Sequence, residues 1–201
     1  MAKEKPFYMK PWLWVLVVLV VLGLWLWGTY NSLVTASINV DNKWAQVETQ
    51  YQRRFDLIPR LVNTTTAYAK FEQSTLTEIT QLRSQVGQLN SQWQSTTDVN
   101  QKTQIADQTN SAISRLLAIF ENYPQLRTVE AVRALQDELA GTENRIAVAR
   151  MDYNNAVRDY NTVIKLFPAN TIAGMFGFTE KSYFQAASEA QNPPGVPNTL
   201  G

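Results

Sequence analysis

Residues 132–167 read VRALQDELAGTENRIAVARMDYNNAVRDYNTVIKLF. Val132, Leu135, Leu139, Thr142, Ile146, Ala149, Tyr153, Ala156, Tyr160, Val163 and Phe167 follow one another in alternating steps of three and four. That is the spacing of a helix burying one narrow seam. No proline interrupts it, and so long a seam requires partner helices alongside, as in a coiled coil or long bundle. Glu143, Arg150, Asn154 and Asn161 stand seven, four and seven residues apart, so they share a helical face beside the seam.

The same step recurs at Tyr51, Phe55, Ile58, Val62, Thr65, Ala69, Glu72, Leu76, Ile79, Arg83 and Val86. It predicts a second long helix, bent near residues 55–57 by Pro59 and ended by Gly87 and the polar run 90–97. A shorter helix carries Ile105, Ala112, Ile113, Leu116, Leu117 and Phe120, with Thr97 or Asp98 as its cap and Asn122-Tyr123-Pro124 as its stop. At about 38 Å it cannot match a central helix of about 60 Å, so one rod must overhang, bend or break. Thr128 is the expected cap of the central helix, and Phe167-Pro168 its end. The apolar segment 172–184, with Gly174 and Gly177 as hinges, is expected to fold back on the bundle or to meet lipid or a partner.

At the other end of the chain no charged residue occurs from Pro11 to Val40. From Trp12 to Tyr30 a helix rises roughly 28 Å, close to the hydrocarbon thickness of a bilayer, with tryptophans near both ends. This segment is read as a transmembrane helix, 11–30. A cleaved signal peptide ending near Val34-Thr35-Ala36 is the competing reading, and the length and tryptophans favour a retained anchor. Lys3, Lys5 and Lys10 precede the span and only Lys43 follows closely, which puts residues 1–10 in the cytoplasm and the remainder outside. The Pro-rich end, 188–201, is expected to be a disordered tail.

Composition narrows the chemistry. A net charge of +1 with 17% charged residues argues against nucleic acid as a partner. Cysteine and histidine are both absent, which removes disulfides, thiolate metal sites, the cysteine nucleophile and the usual base near neutral pH. No catalytic residue, cofactor site or metal site is assigned. A carboxylate enzyme or cation-binding bundle would have to use Glu72 and Glu143. The alternative is that Arg53, Arg54, Glu72, Glu143, Arg150, Asn154 and Asn161 bind a partner or fix bundle register.

The chain resembles the LemA family. The resemblance rests on Tyr30-Asn31-Ser32-Leu33-Val34, on Gln52-Arg53-Arg54-Phe55-Asp56-Leu57-Ile58-Pro59-Arg60-Leu61-Val62 and on Tyr68-Ala69-Lys70-Phe71-Glu72. It continues with Glu121-Asn122-Tyr123-Pro124, Glu143-Asn144-Arg145-Ile146-Ala147-Val148-Ala149-Arg150, Tyr153-Asn154, Tyr160-Asn161 and Phe167-Pro168-Ala169-Asn170. Where the family often has His before the Glu of the Tyr-Ala segment, this chain has Phe71. The resemblance implies a single-pass bacterial membrane protein with an antiparallel helical bundle and gives little mechanism.

The expectation is therefore an all-α chain: one N-terminal transmembrane helix, then over 31–187 an elongated antiparallel bundle of three long helices plus a short C-terminal helical segment. Its partners are the lipid bilayer through Trp12 to Tyr30, other envelope or membrane proteins, and a second copy of itself. The functional expectation is a non-catalytic interaction scaffold of the bacterial envelope, with a membrane-remodelling scaffold as a further alternative.

Overall fold

The computed structural model describes residues 11–185. The expected cytoplasmic N-terminus, 1–10, and disordered tail, 188–201, lie outside the described residues. Among the described residues all regular structure is helical: α1 Pro11–Tyr68, α2 Gln73–Ser95, α3 Val99–Glu121, α4 Glu130–Lys165 and α5 Ala169–Phe176, with a 3-10 turn Pro124–Thr128 before α4. The chain divides into two compact units, with the boundaries inside α1 and α4. Unit one comprises 11–42 and 155–181; unit two comprises 43–154 and the segment from Ser182.

Unit two is an up-down-up-down bundle. Lys43 pairs with Asp152 and Arg53 with Glu138, so α1 and α4 run antiparallel. Glu48 meets Lys102 and Arg54 meets Asn110, so α1 and α3 run parallel. Glu78 meets Arg115, and α2 packs on α3. The predicted α4 seam is buried except at Leu135, Val163 and Phe167. Fully covering a side chain such as Ile146 stabilises the fold by roughly 1.5–3 kcal/mol.

The mismatch of rod lengths is met in two ways: α4 runs on past the end of unit two into unit one, and the second predicted helix breaks. The seam from Tyr51 to Val86 is divided at residues 69–72, leaving four arms of similar length in this unit. The break also rephases the helix: α2 buries Ile79, Leu82, Val86, Leu89 and Trp93, while Arg83 and Leu76, assigned to the seam by spacing, are exposed. α1 runs on through Pro59. Gly87 does not end α2, which continues to Ser95 through the polar run and turns only at 96–98. Asp98 caps α3 as expected, accepting from the Gln101 N–H at 2.9 Å, and α3 stops at Glu121. Thr128 does not hold the cap position of α4, which begins at Glu130; it ends the 3-10 turn, where its hydroxyl donates back to Gln125 O.

In unit one the N-terminal part of α1 exposes nearly every apolar side chain from Trp12 to Leu26, and Trp27 is 73% exposed. An apolar helix uncovered on all sides fits lipid. Past it, Leu33, Val40, Val157, Tyr160, Ile172 and Ala173 form the unit's buried core. α5 ends at Gly177, whose φ of 75° is the left-handed conformation that glycine adopts without a Cβ penalty. Gly174, also read as a hinge, is an ordinary position inside α5.

Candidate functional site

The two Tyr-Asn dipeptides of α4 do the same work, one in each unit. In unit two the Tyr153 hydroxyl donates to Ser182 O at 2.8 Å. The Asn154 amide donates to Phe184 O and accepts from the Phe184 N–H, both at 2.9 Å. In unit one the Tyr160 hydroxyl donates to Thr179 O at 3.0 Å. The Asn161 amide makes the matching pair with Lys181, donating to its carbonyl and accepting from its N–H at 2.9 Å. A primary amide carries donor and acceptor side by side, so it can satisfy one residue of an extended chain as a neighbouring strand would. The dipeptides are seven residues apart, and their targets three.

Each stretch of this C-terminal strap carries further contacts. Arg150 donates to Gln185 O at 2.7 Å, and its guanidinium lies 4.4 Å from the centre of the Phe184 ring. Lys181 pairs with Asp41 at 2.5 Å, and Lys165 with Glu180 at 2.8 Å. Three members of the predicted polar stripe, Arg150, Asn154 and Asn161, therefore hold the chain's own C-terminal segment.

The fourth, Glu143, caps from the outside a polar cluster of unit two built on the buried Arg54. Arg54 occupies a seam-like position seven residues after the buried Val47, and its side chain is 7% exposed. It donates to Asn110 Oδ1 at 2.5 Å and meets Glu143 at 2.7 Å. Burial lowers the Arg54 pKa, and Glu143 beside it works the other way. Tyr51, fully covered, is pushed up to about 12, chiefly by burial and partly offset by Arg150 and Arg54. Its hydroxyl has no hydrogen-bond partner among the described residues. Arg54 and Glu143 line a cleft of about 710 Å³ with Asn110, Phe120, Arg127 and Arg133.

The remaining sites lie apart. Glu72 is the exposed residue before α2, with no side-chain cap hydrogen bond. It lines none of the main clefts that Glu143 lines. Arg53 pairs with Glu138 at 2.6 Å on an exposed face, at the edge of a second cleft of about 850 Å³. Among the described residues no group of three acidic side chains could hold a metal ion.

Spacing missed two features. Spacing places Tyr153 and Tyr160 in the seam alone; the repeated Tyr-Asn dipeptide, also among the motifs of the family resemblance, is the signal for the role of their hydroxyls. Lys102, on α3, is buried with its ammonium against Glu48 and over the rings of Trp44 and Trp93 at 5.4 and 5.0 Å. No sequence pattern marked it.

A helical chain with a lipid-fitting N-terminal helix and an inward-directed polar set defines a membrane-associated bundle protein. The LemA family pattern matches residues 43–197, and the chain belongs to the LemA family. It is similar to magnetosome protein MamQ 2 of Paramagnetospirillum magneticum, 28% identical over 82% of this chain and 67% of the relative. It is similar also to protein LemA of Metamycoplasma hominis, 22% identical over 92% and 83%. Magnetosome protein MamQ of Magnetospirillum gryphiswaldense is 25% identical over 82% and 67%.

Proposed function

We propose that this LemA-family chain is a non-catalytic interaction scaffold of the bacterial envelope, anchored by Trp12–Tyr30 with its N-terminus in the cytoplasm and unit two outside. One observation supports this reading over a carboxylate enzyme: Glu143 is held by Arg54, and the other carboxylate that chemistry would need, Glu72, stands exposed at the α1–α2 break. The names of the relatives attach to a cellular structure or to the family, not to a reaction.

A surface of unit two open to a partner is the Arg53 cleft, which mixes Arg53, Arg60, Asp56 and Glu138 with the apolar Leu57 and Trp93. Such a mixture suits a protein partner better than a small apolar ligand. A photo-crosslinking residue in place of Arg60 in intact cells should give discrete adducts with another envelope protein or a second copy. A ladder no different from one obtained at an exposed α2 position such as Arg83 would contradict the reading. Glu143→Gln should lower melting temperature and adduct yield together. Loss of a chemical activity with melting unchanged would favour the enzyme. Sidedness follows from Thr97→Cys in intact cells: labelling without permeabilisation is expected, and labelling only after permeabilisation would reverse the orientation.

A further inference from the structure

In unit one α5 sits beside the end of the apolar helix. The Tyr30 ring lies 4.9 Å from Phe176 and 6.0 Å from Phe178. Gly23, Leu26, Trp27, Tyr30, Met175 and Phe176 surround an open cleft of about 380 Å³, whose walls are almost wholly apolar. While Ile172 and Ala173 are buried, Met175 and Phe176 are 73% and 60% exposed, and Phe167, just before α5, is 83% exposed. Left in water, this apolar surface would be unfavourable by about 25 cal/mol for each Å². Tyr30 marks the depth at which a span starting at Trp12 leaves the hydrocarbon, so the exposed face of α5 begins at the boundary between acyl chains and headgroups.

We propose that α5 is an interfacial helix of the bilayer, with Met175 and Phe176 dipped below the headgroups and the cleft beside Gly23 filled by a lipid acyl chain. The occupant is lipid because this surface continues the lipid-facing surface of the Trp12–Tyr30 helix. Recognition is of hydrocarbon, not headgroup charge. Among the described residues of unit one, every charged side chain has an opposite partner: Asp41 with Lys181, Arg158 with Asp159, Lys165 with Glu180. Among these described residues no cationic patch is left to select anionic lipid. The proposal rests on the membrane-anchor reading.

The chain has no cysteine, so single spin labels can be placed in the full protein without other changes. Labels at Leu19→Cys, Met175→Cys, Phe176→Cys and Thr97→Cys would be compared in phosphatidylcholine nanodiscs by collision with oxygen and with a water-soluble nickel chelate. The Met175 and Phe176 labels should favour oxygen several-fold more than Thr97, less than Leu19, and equally when phosphatidylglycerol is added. A lipid-like Leu19 with Met175 and Phe176 resembling Thr97 would overturn the proposal and leave the anchor standing. A Leu19 label resembling Thr97 would overturn both. Spin–spin broadening at Met175 that grows with protein-to-lipid ratio would assign the face to a second copy and also overturn it.

Discussion

Asn161 and Lys181 are joined by two hydrogen bonds of 2.9 Å, side-chain amide to backbone carbonyl and backbone N–H to side-chain carbonyl. Asn161 is 5% exposed and Lys181 is half-buried, so water reaches these two Lys181 groups less readily than it reaches an open loop. Asn161→Ala should destabilise the chain by about 1–2 kcal/mol, since it leaves a part-buried donor and acceptor without their partner. Asn161→Asp keeps the acceptor for the Lys181 N–H but sets a carboxylate against the Lys181 carbonyl, and should cost as much or more. Chemical denaturation of the full chain in detergent measures both.

The Arg54–Glu143 pair is asymmetric, and so should be its mutants. Glu143 is 48% exposed at its side chain and can return to water, whereas Arg54 is 7% exposed and cannot. Glu143→Ala should therefore cost about 3 kcal/mol by stranding a buried charge, while Arg54→Met should cost under about 1.5 kcal/mol. The double variant should be more stable than Glu143→Ala alone. A double-mutant cycle by denaturant melts checks the order.

Tyr51 supplies a pH dependence whose sign is fixed. A phenol in the unfolded chain ionises near 10. In the folded chain Tyr51 is pushed up to about 12, because burial disfavours the phenolate. Its contribution is thus complete below pH 10 and is lost as pH rises from 10 towards 12, by up to about 3 kcal/mol. Tyr51→Phe should flatten that part of the alkaline melt. At pH 7 it should be neutral or slightly stabilising, since the hydroxyl has no partner among the described residues.

Lys102 tests the aromatic cluster of unit two. Lys102→Met keeps the stem between Trp44 and Trp93 and removes the charge over both rings, for an expected loss of about 1–2 kcal/mol. Lys102→Glu puts a buried carboxylate beside Glu48 and should cost more than about 3 kcal/mol. Thermal melts followed by near-ultraviolet dichroism, which reports the tryptophans, distinguish the two.

Helix type, the α4 seam and the ends of α3 were readable because they depend on local spacing and capping. The break at 69–72 was not. Tyr68-Ala69-Lys70-Phe71 contains neither glycine nor proline, and what accompanies the interruption is distant in sequence: the Phe71 ring lies edge-on to Tyr123 at 4.5 Å, and the Tyr123 hydroxyl meets Thr75 at 3.3 Å. Once the helix restarts, its phase is new, which is why Leu82 and not Arg83 is buried. The polar stripe was visible as a shared face, but periodicity is blind to what lies opposite. Asn154 and Asn161 looked available to a partner because the strap they hold has no helical or strand pattern of its own.

The central claim is that the Tyr-Asn motifs hold the chain's own C-terminal segment. Hydrogen exchange of the Lys181 and Phe184 amides in the full protein tests it most directly. Both should exchange far more slowly than the amide of the exposed Thr97, with Lys181 released by Asn161→Ala and Phe184 by Asn154→Ala. Rapid exchange of both amides in the unaltered chain would contradict the account.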